Sequence, residues 1–306
     1  MPLQQLIVRL TTGRKSDVSP FLPSFLAYIE VAKPASIALL VFVGLAAFFV
    51  GGRGQLPTWP LLVVLVGGIA GSGAANAITC YIDRDIDAVM VRTRRRPLPS
   101  GRIRPAERAL CFGLALALIA LALSATLGSL AFGLMLIGLL DNVVVYSLLT
   151  KRRSRWNVLL GGFSGGVPVA FGWVAATGRL AWAPILMAAL VVLWIPGHIW
   201  TLAIYHAEDY RKVHVPMLPV VTSLRAAARC LACTAVLTLA ASLALCPVAG
   251  FGPLYLAVAL PTGLALTAGN LYLALRPSRK TAWLLFKLSS PYLLVVFAAM
   301  VAGVGA

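Results

Sequence analysis

An all-α polytopic membrane protein, a bundle of nine transmembrane helices, is the fold this sequence predicts, and three observations predict it. Of the 306 residues, 60% are hydrophobic and only 11% charged, with a mean hydropathy of +0.92; a soluble domain carries about 25% charged residues. The apolar residues fall into nine runs of about 20, the length a helix needs to cross a bilayer. None of the runs shows the in–out alternation of a barrel strand. These features exclude a water-soluble globular protein, a disordered chain and a disulfide-stapled secreted module.

The runs lie at 35–51, 58–82, 107–126, 128–149, 157–177, 181–203, 226–249, 251–275 and 282–305. Their Gly, Ala and Leu content suits helices that approach closely in lipid. Residues 1–34 mix polar and apolar side chains without a clean signal-peptide core, so they are expected as a cytoplasmic or interfacial segment. Residues 35–305 then form one nine-helix domain.

The loops give an orientation. With the N-terminus inside, every one of the 26 Lys and Arg residues except Arg53 and Arg179 falls on the cytoplasmic side, as the positive-inside rule demands. The C-terminus is then outside, and the expected location is the cell membrane. The net charge of +17 is therefore mostly topology. It is spread over short loops and does not read as a nucleic-acid surface; its partner is the lipid bilayer, whose anionic leaflet favours such loops. The five cysteines, Cys230-x-x-Cys233 included, read as small packing residues.

The acidic residues need a different explanation, because Asp and Glu contribute little to orientation. Asp83, Asp85, Asp87, Glu208 and Asp209 gather at two loops, and Asp141 lies inside the fourth run. On a continuous helix, Asn76, Thr79, Asp83 and Asp87 share one narrow face, with Asp85 opposite. Two carboxylates one turn apart repel unless something neutralises them. A divalent cation would, and Mg²⁺ takes one or two carboxylates and completes its shell with water and phosphate oxygens. The Arg92-Thr93-Arg94-Arg95-Arg96-Pro97-Leu98 run that follows suits a polyphosphate bridged between metal and guanidinium groups. The competing reading is that Asp83, Asp85 and Asp87 pair with Arg84 and the downstream arginines on a solvated face.

The sixth run ends similarly, in Glu208-Asp209-Tyr210-Arg211-Lys212 followed by Pro216-Met217-Leu218-Pro219. With the basic loops after runs four and eight, this suggests two weakly repeated four-helix halves plus a ninth helix, with a site between the halves.

These residues resemble a known family. Asp83-Arg-Asp-Ile-Asp87 with Arg92-Thr93-x-x-Arg96-Pro97-Leu98 is similar to the first Asp-rich motif of the UbiA-type intramembrane prenyltransferases. Trp194-x-Pro196-x-His198-x-Trp200, Glu208-Asp209-Tyr210, Pro216-Met217-Leu218-Pro219, Lys151-Arg152-Arg153 with Asn157, and Gly172-Trp173-x-x-x-Thr177-Gly178 resemble its heme-farnesylating branch. The resemblance implies a bundle whose active site opens to the cytoplasm through loops 83–106 and 204–225. It implies Mg²⁺ as cofactor, farnesyl diphosphate and heme b as substrates, and transfer of the farnesyl group to a heme vinyl group, giving heme O. Asp83, Asp87 and Asp209 would be the metal carboxylates, with Lys151 beside them in catalysis. Arg92, Arg96 and Arg152 would contact the diphosphate, with Asn76 and Tyr210 also at the substrates. Two positions depart from the family pattern: Thr79 stands where an asparagine is usual, and Val213 where relatives with other acceptors carry another Asp.

An allylic cation can be steadied by aromatic faces, for which Tyr146, Trp173, Trp194, Trp200 and Tyr205 are candidates; the same residues fit an interfacial aromatic belt. His198 is the candidate heme contact, through the iron or a propionate, unless it is simply hydrogen-bonded within the bundle. Asp141 is either functional or bonded to a neighbouring helix. Two alternatives remain at this level: prenyl transfer to a quinone precursor or pigment, and a cation- or proton-coupled transporter, for which the arginine loop has no evident use.

Overall fold

The computed structural model describes residues 21–304, all of whose regular structure is helical. The expectation for residues 1–20 lies outside the described residues. Thirteen elements follow in order: α1 (Phe21–Ala32), α2 (Pro34–Gly51), α3 (Thr58–Ile82), α4 (Arg84–Val89), α5 (Glu107–Ala125), α6 (Ser129–Thr150), α7 (Asn157–Thr177), α8 (Trp182–Tyr205), α9 (Ala207–Lys212), α10 (Leu218–Val221), α11 (Leu224–Ala249), α12 (Pro253–Leu275) and α13 (Arg279–Ala302). Among the described residues, nine of these are long and apolar enough to cross a membrane: α2, α3, α5, α6, α7, α8, α11, α12 and α13. They coincide with the nine predicted runs to within three residues at either end.

The largest core cluster lies among α2, α7, α8, α11, α12 and α13, built from Val43, Ala47, Leu190, Val191, Leu245 and Val296. A second joins α3, α5, α6 and α7 through Ala74, Ala120, Ala131 and Phe171. Leucines such as Leu118 and Leu275 point outward, as a lipid-facing surface allows, and glycines set the closest helix crossings. The tightest crossing is α2 on α7, where a Cβ at Gly172 would collide with the Gly44 carbonyl oxygen. Backbones in lipid approach this closely only where side chains are absent.

Two features differ from a plain bundle. Helix α1 precedes the first span and packs Ala27 and Val31 against Ala77 and Cys80 of α3. The chain then turns through Lys33, whose backbone is left-handed (φ 58°, ψ 70°), a conformation costly for any residue but glycine. Helix α6 winds as a π-helix over Asp141–Thr150, with the Lys151 amide donating to the Tyr146 carbonyl at 2.8 Å. Such wide turns are rare and concentrate at functional sites. The short helices α4 and α9 occupy matching places after α3 and α8, whereas π-helical turns, at Val63–Gly67 and Asp141–Thr150, lie only in the first half among the described residues. The expected four-helix repeat is therefore limited to that match.

Candidate active site

The site is built where α3 ends. The sequence predicts one continuous helix from Asn76 to Asp87; the structure corrects this, because α3 stops at Ile82 and α4 restarts at Arg84. Asp83 sits at the junction in the bridge region (φ −92°, ψ 4°). The turn spacing nevertheless survives: the Asp83 amide donates to Thr79 O at 2.9 Å and the Asp87 amide to Asp83 O at 2.8 Å. Asp83 and Asp87 are thus turned inward, 2% and 4% exposed, while the Asp85 side chain remains 60% exposed.

Buried carboxylates must be paired or coordinated. Asp83 is ion-paired with Lys151 at the end of α6, and Asp87 with Arg96 at 2.7 Å. Asp85 takes a two-pronged contact from Arg152 at 2.6 and 2.7 Å, which holds its carboxyl below the ordinary carboxylate range. The competing reading is met in part: Asp87 does pair with a downstream arginine, though in a buried position, and only Asp85 lies on a solvated face. Arg84 bonds instead to the Tyr81 carbonyl. Burial pushes the Lys151 ammonium down, but the Tyr146 phenol and the Asp83 carboxylate outweigh it and hold the pKa above its ordinary value. Asp83 Oδ1 is buried without a hydrogen-bond partner among the described residues, with an Arg152 nitrogen 3.9 Å away.

The second acidic loop meets the first. Asp209, buried in α9, accepts the backbone amides of Val91 and Arg92, each at 3.2 Å. Both oxygens of this expected metal carboxylate thus fasten the arginine loop, each with a further lone pair left over. The Arg92 side chain is exposed, with no ion-pair partner among the described residues. Glu208 pairs with Arg279 at 2.9 Å on the surface. Tyr210 is buried beside Met217 and Leu218.

Next to this charged end lies a cavity of about 320 Å³, walled by α2, α3, α6, α7 and α8, with Asn76, Asn142, Tyr146, Ser164, Trp194 and His198 among its lining. Asp83 and Asp87 are not in its wall; Tyr146 links the two regions, its ring 5.6 Å from the Lys151 ammonium. Thr79 bonds Asn142 Oδ1 at 3.1 Å and Ser147 Oγ at 3.2 Å, tying α3 to the π-helical turns. Asn76 donates to Ala32 O at 2.9 Å.

Of the five aromatic candidates, Tyr146 and Trp194 reach the cavity. Tyr205 does not: it is 41% exposed and stacks on Trp283 with ring centroids 4.5 Å apart. Trp200 is buried in the core around α8 and α10, and Trp173 packs against Gly51. Asp141 accepts the Ser164 amide at 2.7 Å, so it is a helix-to-helix bond that satisfies an orphan N–H in the first turn of the longer part of α7.

Three residues escaped the sequence reading as site members. Lys33 sits electrostatically among Arg96, Lys151 and Asp87, and burial pushes its ammonium below the ordinary value; the Lys-Pro pair before the first span was its signal. Asn142 in the cavity wall was hidden inside an apolar run. Ser289, bonded to His198 at 2.7 Å, comes from the ninth span, which carried no motif.

Comparison with known proteins agrees with this geometry. The UbiA prenyltransferase family profile matches residues 39–291. A protoheme IX farnesyltransferase of Desulforudis audaxviator is 48% identical over 279 residues, covering 91% of this chain and 88% of the relative. Among solved structures, a digeranylgeranylglyceryl phosphate synthase superposes with a TM-score of 0.77 at 20% identity, over 92% of this chain and 98% of that one. A UbiA homolog from Archaeoglobus fulgidus bound to GPP and Mg²⁺ gives 0.62 at 17% identity, over 90% and 99%. The solved structures share the fold; the profile and the close relative share the sequence along nearly its whole length, and the chain belongs to the UbiA prenyltransferase family.

Proposed function

We propose that this protein transfers the farnesyl group of farnesyl diphosphate to a vinyl group of heme b, giving heme O, with its basic end toward the cytoplasm. The relative at 48% identity is named for protoheme IX farnesyl transfer. The observation that carries the reading is the junction of α3 and α4, where a buried carboxylate with one oxygen free of hydrogen bonds among the described residues stands beside Lys151, next to the cavity.

Both substrates are largely apolar, and each buried CH₂ favours the lipid phase by about 0.8 kcal/mol. A site inside the bundle spares either from being drawn into water. The diphosphate is too charged to follow, which keeps it at the charged end. There Lys33, Arg92, Arg96 and Lys151 would hold its oxygens, with Asp209 keeping Arg92 in place. No group of three or more His, Cys, Asp or Glu suited to a metal exists among the described residues. The donor set of Asp83 and Asp87 fits a cation that draws its other ligands from water and phosphate, which is the habit of Mg²⁺. Bound there, Mg²⁺ would supply Lewis-acid neutralisation of the departing diphosphate.

As the allylic C–O bond breaks, the electron pair leaves with the diphosphate, and Lys151 and the arginines stabilise that growing charge. The farnesyl cation passes into the cavity, where Tyr146 and Trp194 present aromatic faces. The vinyl group supplies the electron pair for the new C–C bond. The cation then left beside the porphyrin takes up water, which loses a proton and leaves the product hydroxyl.

The test is incubation of the purified chain with Mg²⁺, farnesyl diphosphate and either heme b or 4-hydroxybenzoate, followed by mass spectrometry. A hydroxyethylfarnesyl heme adduct is expected. Unmodified heme with a prenylated benzoate would overturn the acceptor assignment.

A further inference from the structure

We propose that Ser289 is a positioning residue that holds His198 as its Nδ1-protonated tautomer, so that the Nε2 lone pair faces the cavity and ligates the iron of the acceptor heme. The inference rests on heme being the acceptor and goes beyond it in naming the ligand atom and what orients it.

Ser289 Oγ makes two short contacts, one to the Phe286 carbonyl oxygen at 2.7 Å and one to His198 Nδ1, also at 2.7 Å. A carbonyl oxygen has no proton to give, so the single hydroxyl proton of Ser289 is committed to Phe286. Toward His198 the hydroxyl can then only accept. Nδ1 must carry the imidazole proton, and in a neutral ring Nε2 carries the lone pair.

The ring cannot turn away from this arrangement. It lies between Trp194, at a centroid distance of 4.7 Å and 19° between planes, and Phe286, at 4.6 Å and 31°. Trp194 in turn donates its indole N–H to the Ser289 backbone carbonyl at 2.8 Å, so one residue of α13 holds both Trp194 and His198 on α8. His198 lines the cavity and Ser289 does not. The ring edge remote from Ser289 is therefore the cavity edge, and Nε2 has no hydrogen-bond partner among the described residues.

A lone pair facing the cavity decides between the two heme contacts left open by the sequence. It would repel a propionate carboxylate, and it is the donor that iron takes from a proximal histidine. The chain from imidazole N–H to serine hydroxyl to backbone carbonyl is the kind of outer partner that orients a ligating histidine and raises its basicity.

The test uses the full chain in lipid nanodiscs with ferrous heme b, read by resonance Raman for the iron–imidazole stretch and by KM for each substrate. The wild type should show the stretch. His198→Ala should lose it and regain it with added imidazole. Ser289→Ala should weaken or shift it and raise KM for heme about tenfold, with KM for farnesyl diphosphate unchanged, while Ser289→Thr restores both. The proposal is overturned if His198→Ala keeps the wild-type spectrum, or if Ser289→Ala keeps both spectrum and heme KM. Heme farnesylated by a wild type that shows no nitrogen ligand would sink this inference alone; no farnesylation of heme by the wild type would sink the acceptor reading.

Discussion

Replacing Lys151 with Met puts the charged end of the bundle to a quantitative test. The Lys151 and Asp83 side chains are 14% and 3% exposed, so the substitution strands a carboxylate in a nearly dry site. Breaking a buried pair by removing one member costs about 3–5 kcal/mol. Arg152, with a nitrogen 3.9 Å from the other oxygen of Asp83, offsets part of that, which puts the expected loss near 3 kcal/mol. The Asp83→Asn, Lys151→Met double variant leaves no stranded charge and should be more stable than Lys151→Met. Denaturant titration of the four proteins in bicelles gives the coupling energy directly. All three variants should lose diphosphate release, by about 10²–10³-fold for Lys151→Met if it stabilises the leaving group as an oxyanion donor does. Wild-type stability for Lys151→Met, or strict additivity of the two single changes, would refute the buried pair.

Asp209→Ala should raise KM for farnesyl diphosphate about tenfold, because two amide bonds to a carboxylate that fasten the Arg92 loop are lost; steady-state kinetics reads this. Gly172→Ala should cost about 1–3 kcal/mol or more in the same titration, since its Cβ collides with the Gly44 carbonyl, whereas Gly133→Ala, whose Cβ meets nothing within 4 Å, should be tolerated. Thr79→Val removes both bonds to the π-helical turns and should cost about 1–3 kcal/mol, with Thr79→Ser recovering most of it. Burial lowers the His206 pKa, with Arg92 adding to the effect and Asp209 opposing it. Its contribution to stability is therefore full above the unfolded value near 6.5 and is lost as pH falls through the lower folded value. His206→Gln should flatten the pH dependence of thermal unfolding in that window.

The spans were readable because lipid imposes a length and a polarity on every crossing helix, and residues such as Leu118 and Gly172 obey it whatever the family. The carboxylates were readable for the opposite reason: Asp83 and Asp87 break the composition of their surroundings. What stayed hidden was whatever depends on partners distant in sequence. Asp209 reads as a third metal carboxylate from its side-chain chemistry; only the fold shows that its oxygens also bond two loop amides 117 and 118 residues away. Tyr205 and Tyr146 are the same residue type at comparable distances from the charged loops, yet one stacks on Trp283 outside and the other lines the cavity. Asp141, a functional candidate from its setting, turned out to serve a helix terminus. Ser289 carries no signal at all until His198 is beside it.

The wide winding of α6 also makes register a hidden variable of this enzyme. Each π turn accommodates one residue more than an α turn, so the segment between Asp141 and Thr150 stores length that the membrane does not need. An α winding advances about 100° per residue and a π winding less, so the aim of Tyr146 at the cavity and of Lys151 at Asp83 depends on the wide turns persisting. A substitution that favoured ordinary α winding with no residue removed would rotate both side chains around the axis, whereas removing one residue as well would largely restore their facing. Two chains with identical motifs can therefore differ in activity through the winding of a segment that no motif contains.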